Sequence, residues 1–307
     1  MKQYLTIDIG RGWLRWSITT ENLDVLRNGK VDITSVTDRE AIFQPICKLA
    51  DTYRSQVEGI CITMPGVIDT QFGIAYSGGV YSWVRNEPLA HEIEASTGLK
   101  TVIVNDAKAA ALAEIGYGSL KNVKDGVMLM LLGTGIGGAI IHDGKIFNGA
   151  HFGAGEFSYL TDSYERPKNN EDMFALACSL DGLVRLVRET TGKENMNILK
   201  IMFGLNRGEL GIKIGVKKYC ERLANYIFNI QSIIDASVFV ISGNITDEPE
   251  FVKMIHESID ERFEKDVYHN IVQPEIKGVT FHEDSRKYGG VYEFKRMEEE
   301  GWMYSEL

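Results

Sequence analysis

Apolar residues run in short blocks that end on glycine or on a polar pair, and this rhythm predicts an α/β chain. Residues 3–9 form an apolar strand that stops at Gly10. Arg11 and Gly12 turn the chain, 13–19 return as a second strand, and 31–36 read as a third. Thr37 and Glu40 have capping-box spacing, and Ile42, Phe43, Ile46, Leu49, Ala50 and Tyr53 follow at helical intervals, with Pro45 either in the first turns or kinking the helix. Residues 57–64 make a strand ending at Pro65-Gly66, and 91–96 a short helix closed by Gly98. A strand over 101–104 delivers Asn105-Asp106 to its C-terminal end, and 107–115 form a helix stopped by Gly116 and Gly118.

The pattern then restarts. Residues 126–132 form a strand, 133–138 a glycine run, and 139–142 a returning strand. A long helical region covers 170–230, a strand over 238–241 leads into Ser242-Gly243-Asn244, and Asp247 opens a helix that runs through 263. The last strand is 279–282, and a helix from Asp284 or Ser285 closes the chain. Each half thus opens strand, glycine turn, strand, and then alternates strands with helices. The predicted fold class is α/β, with two domains flanking a cleft that takes one glycine turn from each side. No Ser/Gly-rich linker marks a boundary. Topology gives 1–117 for the first domain and 118–289 for the second, with a C-terminal helix at about 290–307 that can pack back on the first.

Composition narrows the function. The 307 residues carry a net charge of −10, against the basic footprint of a nucleic-acid binder. No apolar run reaches membrane-spanning length and no basic leader opens the chain, so a cytoplasmic protein is expected. Four dispersed cysteines, Cys47, Cys61, Cys178 and Cys220, form no C-x-x-C pair and read as reduced, buried thiols.

The chemistry gathers at a few positions. Asp106, after a strand and before a helix, stands where an open α/β sheet binds ligands; it can take a proton from a hydroxyl or simply cap the helix. Asp8 can orient a hydrated Mg²⁺ or serve as an ordinary turn residue. The Gly133-Thr134-Gly135-Ile136-Gly137-Gly138 run is neither a Walker loop nor a dinucleotide fingerprint, since no Gly-Lys-Ser/Thr follows and a strand, not a helix, comes next. It reads as a phosphate cradle or as a glycine-rich hairpin. Glu156 can accept two hydroxyls of a sugar and His151 a further one. Trp13, Tyr81 and Trp83 could stack on a sugar face, though packing is the commoner fate of aromatics.

Taken together, Leu132 to Ala139 (LGTGIGGA), Asn148-Gly149-Ala150-His151, Ala154-Gly155-Glu156, Asn105-Asp106-Ala107, Met64-Pro65-Gly66, Val240-Ile241-Ser242-Gly243 and the segment from Phe281 to Val291 resemble the ROK family of bacterial sugar kinases and repressors, in the actin-like ATPase superfamily. The resemblance covers nearly the whole chain. It implies two actin-like domains and phosphoryl transfer from ATP, with Mg²⁺, to a sugar hydroxyl, commonly that on C6. It makes Asp106 the general base. Asn105 and Glu156 would hold sugar hydroxyls, with Gly66, His151 and Tyr159 nearby. Gly133, Thr134, Gly135 and Gly137 would bind ATP phosphates, Asp8, Gly10 and Arg11 the other phosphate side with Mg²⁺ reached from Asp8 through water, and Gly243 the adenosine side. A homodimer is usual in the family. A repressor is disfavoured, because only seven residues precede Asp8.

Three departures from the family pattern shape these expectations. Asp8-Ile9-Gly10-Arg11-Gly12 replaces Asp-x-Gly-Gly-Thr, so Arg11 either contacts the γ-phosphate or blocks it. The second case gives the alternative function, a sugar-binding protein with little or no turnover. Phe157-Ser158-Tyr159 stands where the family's zinc ligand begins, and 161–170 contain no cysteine, which fits a zinc-free subgroup resembling β-glucoside kinases. Asn244 and Lys108 also stand where the family usually has glycine and asparagine.

Overall fold

The computed structural model describes residues 1–34, 38–161 and 173–302. The chain divides into two compact units, Met1–Lys121 with Asn148–Gly153 and Glu283–Leu307, and Asn122–Phe147 with Ala154–His282.

The first unit begins with β1 (Gln3–Gly10), β2 (Trp13–Thr20) and β3 (Val25–Asp32), an antiparallel meander. Then come α1 (Glu40–Tyr53), β4 (Gly59–Met64), a small hairpin of β5 (Ile68–Asp69) and β6 (Ile74–Ala75), α2 (Leu89–Thr97), β7 (Lys100–Asn105) and α3 (Asp106–Tyr117). Its sheet has the order β3-β2-β1-β4-β7, with β4 and β7 parallel to β1. The second unit repeats this plan. Here β8 (Gly126–Leu131), β9 (Ile136–His142) and β10 (Lys145–Ile146) form the meander. The helices α4 (Phe174–Cys178), α5 (Leu180–Thr191), α6 (Ile198–Asn206) and α7 (Leu210–Ile234) precede β11 (Val238–Ser242), α8 (Pro249–Glu264) and β12 (Glu275–Gly278). Its sheet order is β10-β9-β8-β11-β12, again with the last two strands parallel to the first. The architectural duplication read from the sequence is therefore present. The closing helix α9 (Ser285–Glu300) returns to the first unit and packs on α3 and on the β1-β4-β7 face.

The central strands read correctly because they are predominantly apolar; every residue of β4, β8 and β11 is buried. The edges differ from expectation. The third strand is Val25–Asp32, not 31–36: after the tight turn in which Thr20 Oγ1 accepts from Asn22 N and Asp24 N, the sequence VLRNGKVD pairs with β2 despite being half exposed. An edge strand has one unpaired side and needs few apolar residues. For the same reason the last strand is the polar Glu275–Gly278, not 279–282. The returning strand begins at Ile136 rather than at 139, and α8 begins at Pro249 after a 3₁₀ turn over Asn244–Asp247. Thr37 lies outside the described residues; Asp38 Oδ1 accepts from Ala41 N at the start of α1. Pro45 sits inside α1. No described helix is long and apolar enough to cross a membrane, and all four cysteines are free thiols.

Candidate active site

In the first unit the parallel strands β1, β4 and β7 end together, in the registers Asp8↔Thr63 and Met64↔Asn105. Their C-terminal edge therefore collects Asp8, the Pro65-Gly66 turn and Asn105-Asp106, the usual ligand edge of such a sheet.

Helix capping separates the roles of Asn105 and Asp106. Asn105 is the N-cap of α3: its Oδ1 accepts from Ala107 N and Lys108 N, both at 3.0 Å, and its Nδ2 donates to Gly66 O at 2.9 Å. Three of the four hydrogen bonds an asparagine side chain can make are thus internal. Asn105 ties the Pro-Gly turn to the start of the helix. At Gly66 (φ +113°) a Cβ would stand 2.1 Å from Ser77 O, so only glycine fits there. Asp106 is the first helical residue, and its Oδ1 accepts from Ala107 N at 2.8 Å. Burial pushes its carboxyl above the ordinary aspartate value, the Arg286 guanidinium opposes that, and the charge of Asp8 adds to it.

Asp8 is 2% exposed. Its Oδ1 accepts from Thr63 Oγ1 at 3.0 Å, and its Oδ2 faces Arg286 Nη2 at 3.3 Å and Arg15 Nη1 at 3.8 Å. Arg15 is the cross-strand partner of Asp8. Arg11, the arginine singled out in the sequence, is exposed in the β1–β2 turn; Arg15 and Arg286 are the ones that reach Asp8. The carbonyl of Gly10 accepts from Tyr81 Oη at 2.9 Å. The aromatic candidates are occupied by packing: Tyr81 is buried beside Trp83, and Lys30 Nζ lies 4.2 Å from the Trp13 ring centroid.

His151 is exposed on the segment 148–153, which groups with the first unit. Lys108 holds that segment. It is 4% exposed, and its Nζ donates to Asn148 Oδ1 at 3.0 Å and to Phe152 O at 2.8 Å. The Phe152 ring lies 5.9 Å from that of Tyr76. Lys108 entered the sequence reading only as a departure from the family pattern; the structure makes it the anchor of the His151 loop. Lys108→Met should cost about 2 kcal/mol, the scale of charged hydrogen bonds lost around a carbonyl left unsatisfied. Amide exchange should accelerate over 148–153 while α3 keeps its protection; unchanged exchange there would remove the anchoring role.

In the second unit β8 and β9 are joined by a turn over 132–135. Gly137 lies within β9, paired with Met130, and so is a strand residue rather than part of the turn. A Cβ on Gly133 would meet nothing within 4 Å, and one on Gly135 only Ser158 Oγ at 3.6 Å. Among the described residues the N–H groups of Gly133, Thr134 and Gly135 have no intramolecular acceptor. Open glycines with uncommitted N–H groups suit the phosphates of a nucleotide. The turn is braced from below: Leu180 N donates to Leu132 O and Asp181 N to Gly133 O, both at 2.9 Å. Gly243 follows β11 and packs on Leu131 at the end of β8, placing the proposed adenosine-side residue next to the turn.

Glu156 precedes a 3₁₀ turn over Phe157–Tyr159. A Cβ on Gly138 would stand 2.4 Å from both Gly155 O and the Phe157 ring, so the two segments touch backbone to backbone and fix Glu156 against β9. Ser158 Oγ donates to Ile136 O at 2.6 Å. Tyr159 is 69% exposed. Part of the stretch that lacks the family's cysteines, 162–170, lies outside the described residues.

The ROK family pattern matches residues 4–290. A β-glucoside kinase from Listeria monocytogenes is 26% identical over 250 residues, which span 80% of this chain and 83% of that protein. A glucokinase from Streptomyces coelicolor is 28% identical over 268 residues, with 80% and 83% covered. The crystal structure of a ROK family protein from Streptococcus pneumoniae in complex with sucrose aligns with a TM-score of 0.82 at 24% identity, covering 97% of this chain and 100% of that one. At that identity the last likeness speaks for the fold, and it agrees with the five-stranded sheet found in each unit. The chain belongs to the ROK family.

Proposed function

We propose that the protein is an ATP-dependent sugar kinase that phosphorylates a sugar or glucoside hydroxyl, that on C6 by family resemblance, with Asp106 as general base. One observation carries the reading most: Asn105 takes over the capping of α3, which leaves Asp106 Oδ2 outside the cap, at the ligand edge of the sheet. A carboxylate there can accept the proton of an attacking hydroxyl. Glu156, His151, Asn105, Gly66 and Tyr159 are the sugar-binding residues that the family resemblance assigns, Glu156 and His151 through hydrogen bonds to sugar hydroxyls. The N–H groups of Gly133, Thr134 and Gly135 bind ATP phosphates, and Gly243 gives the adenosine close backbone approach. Mg²⁺ travels with the nucleotide and neutralises its phosphate charge. The relatives named as kinases of glucose and β-glucosides support this substrate class. A zinc-free site and a homodimer complete the proposal.

The test is ADP release with Mg-ATP across glucose, N-acetylglucosamine, cellobiose and aryl β-glucosides. Turnover on at least one is expected. Sugar binding by calorimetry without turnover on any would instead make the protein a sugar-binding member of the family.

A further inference from the structure

Asp8 does not offer a place for a water-bridged divalent cation. Such a site wants a carboxylate open to several waters. Here the side chain is almost fully buried, one oxygen is taken by Thr63 Oγ1 at 3.0 Å, and the other faces two guanidinium groups, at 3.3 Å and 3.8 Å. Two fixed positive charges within 4 Å repel a third. The position a metal would take is already cationic.

Arg286 is the more enclosed of the two, its side chain 20% exposed against 50% for Arg15. It sits in the first turn of α9, three residues before Gly289; Asp106 sits in the first turn of α3, three residues before Ala109. Gly289 and Ala109 are where the two helices touch, so close that a Cβ on Gly289 would lie 1.7 Å from Ala109 O. The crossing fixes both first turns at one end of the pair, and Arg286 is near enough for its charge to act on Asp106.

We propose that Arg286, oriented by Asp8, is the positive charge that stabilises the γ-phosphoryl group as it passes from ATP to the sugar hydroxyl, in place of a metal ion held at Asp8. This rests on the kinase reading, since a group beside the general base is beside the atom the acceptor hydroxyl attacks. A guanidinium meets phosphate oxygens in a planar fork and stays charged at any working pH. Asp8 acts as a positioning residue: it holds the arginine without neutralising it, because Arg15 shares the carboxylate. A nucleoside triphosphate carries the terminal phosphate that Arg286 would recognise; a diphosphate does not.

The experiment is calorimetric, on the full chain, with the β,γ-imido analogue of ATP and with ADP, each in Mg²⁺ and in EDTA. The wild type should prefer the triphosphate by about tenfold or more in both conditions, the scale of one charge-assisted contact to phosphate. Arg286→Gln should bring that ratio close to one while leaving the affinities for ADP and for cellobiose unchanged. A preference that survives Arg286→Gln would overturn the proposal. Should that variant fail to fold, the wild type decides: a preference kept in EDTA supports the proposal, and one that vanishes with Mg²⁺ overturns it. ADP release by the wild type is read separately. Its absence on every sugar counts against the kinase reading, whereas these ratios count for or against Arg286 alone.

Discussion

Asp106→Asn should leave the chain folded and lower kcat for sugar phosphorylation by roughly 10²–10⁴, the usual range for loss of a general base. Asparagine has the same shape and keeps the oxygen that accepts from Ala107 N, so the start of α3 is retained. What is lost, on the proposed mechanism, is the basic oxygen that would take the proton of the acceptor hydroxyl. Sugar affinity should change little, so the effect belongs in kcat rather than KM.

The pH dependence separates this role from a structural one. Burial places the Asp106 pKa above its unfolded value, with the nearby Asp8 charge adding to the shift and Arg286 opposing it. A carboxyl with a raised folded pKa contributes stability that is complete below the unfolded pKa and is lost as pH rises through the folded one. At neutral pH the ionised side chain is therefore a net cost, and Asp106→Asn should melt at the same temperature as the wild type or higher. The acidic limb of kcat/KM, which needs the carboxylate ionised, should lie above the ordinary aspartate range. A variant that melts lower yet keeps its kcat would make Asp106 part of the helix start and nothing more. Loss of activity without loss of stability is the pattern of a functional group held at some cost to the fold.

Much of the fold was legible because the central strands of both sheets are predominantly apolar, and such strands have little choice but to be buried. The repeat of strand, glycine turn, strand could be read in each half for the same reason. Strands β3 and β12 could not, since an edge strand is specified by its partner's register rather than by its own apolar content. At the candidate site the individual residues were visible but their partners were not. The sequence shows Asn105 and Asp106 side by side; only the backbone shows that Asn105 is the cap. It shows an arginine next to Gly10; only the β1–β2 register turns Arg15 rather than Arg11 toward Asp8. Arg286 is some 280 residues from Asp8 along the chain; it lies within the Phe281–Val291 segment, but nothing local points to Asp8 as its partner. Its place depends on the crossing of α3 and α9, a close approach that Gly289 permits.

That crossing yields the largest expected effect on stability. Gly289 and Gly290 lie within α9, away from its ends, where helix propensity alone says that alanine should stabilise by about 1 kcal/mol. Packing says the reverse at Gly289. The added methyl would fall 1.7 Å from Ala109 O and 2.4 Å from Ala109 C, and these are backbone atoms of a buried helix that cannot swing aside as a side chain can. The helices must separate, which loosens contacts along both and against β4. Gly289→Ala should therefore cost about 3 kcal/mol or more, at the upper end for overpacking. For a unit of this size that is a fall of roughly 6–12 °C in Tm. Gly290→Ala is the internal comparison: its methyl would meet the Cys61 side chain at 3.0 Å and no backbone, so its cost should be far smaller. The damage at Gly289 should also reach the chemistry. Arg286 and Asp106 sit in the first turns of the two helices, so pushing the crossing apart moves them from each other. The Gly289→Ala protein that remains folded at low temperature should thus show reduced kcat, and equal stability and kcat in the two glycine variants would mean that the close approach of α3 and α9 is not what holds this edge of the site together.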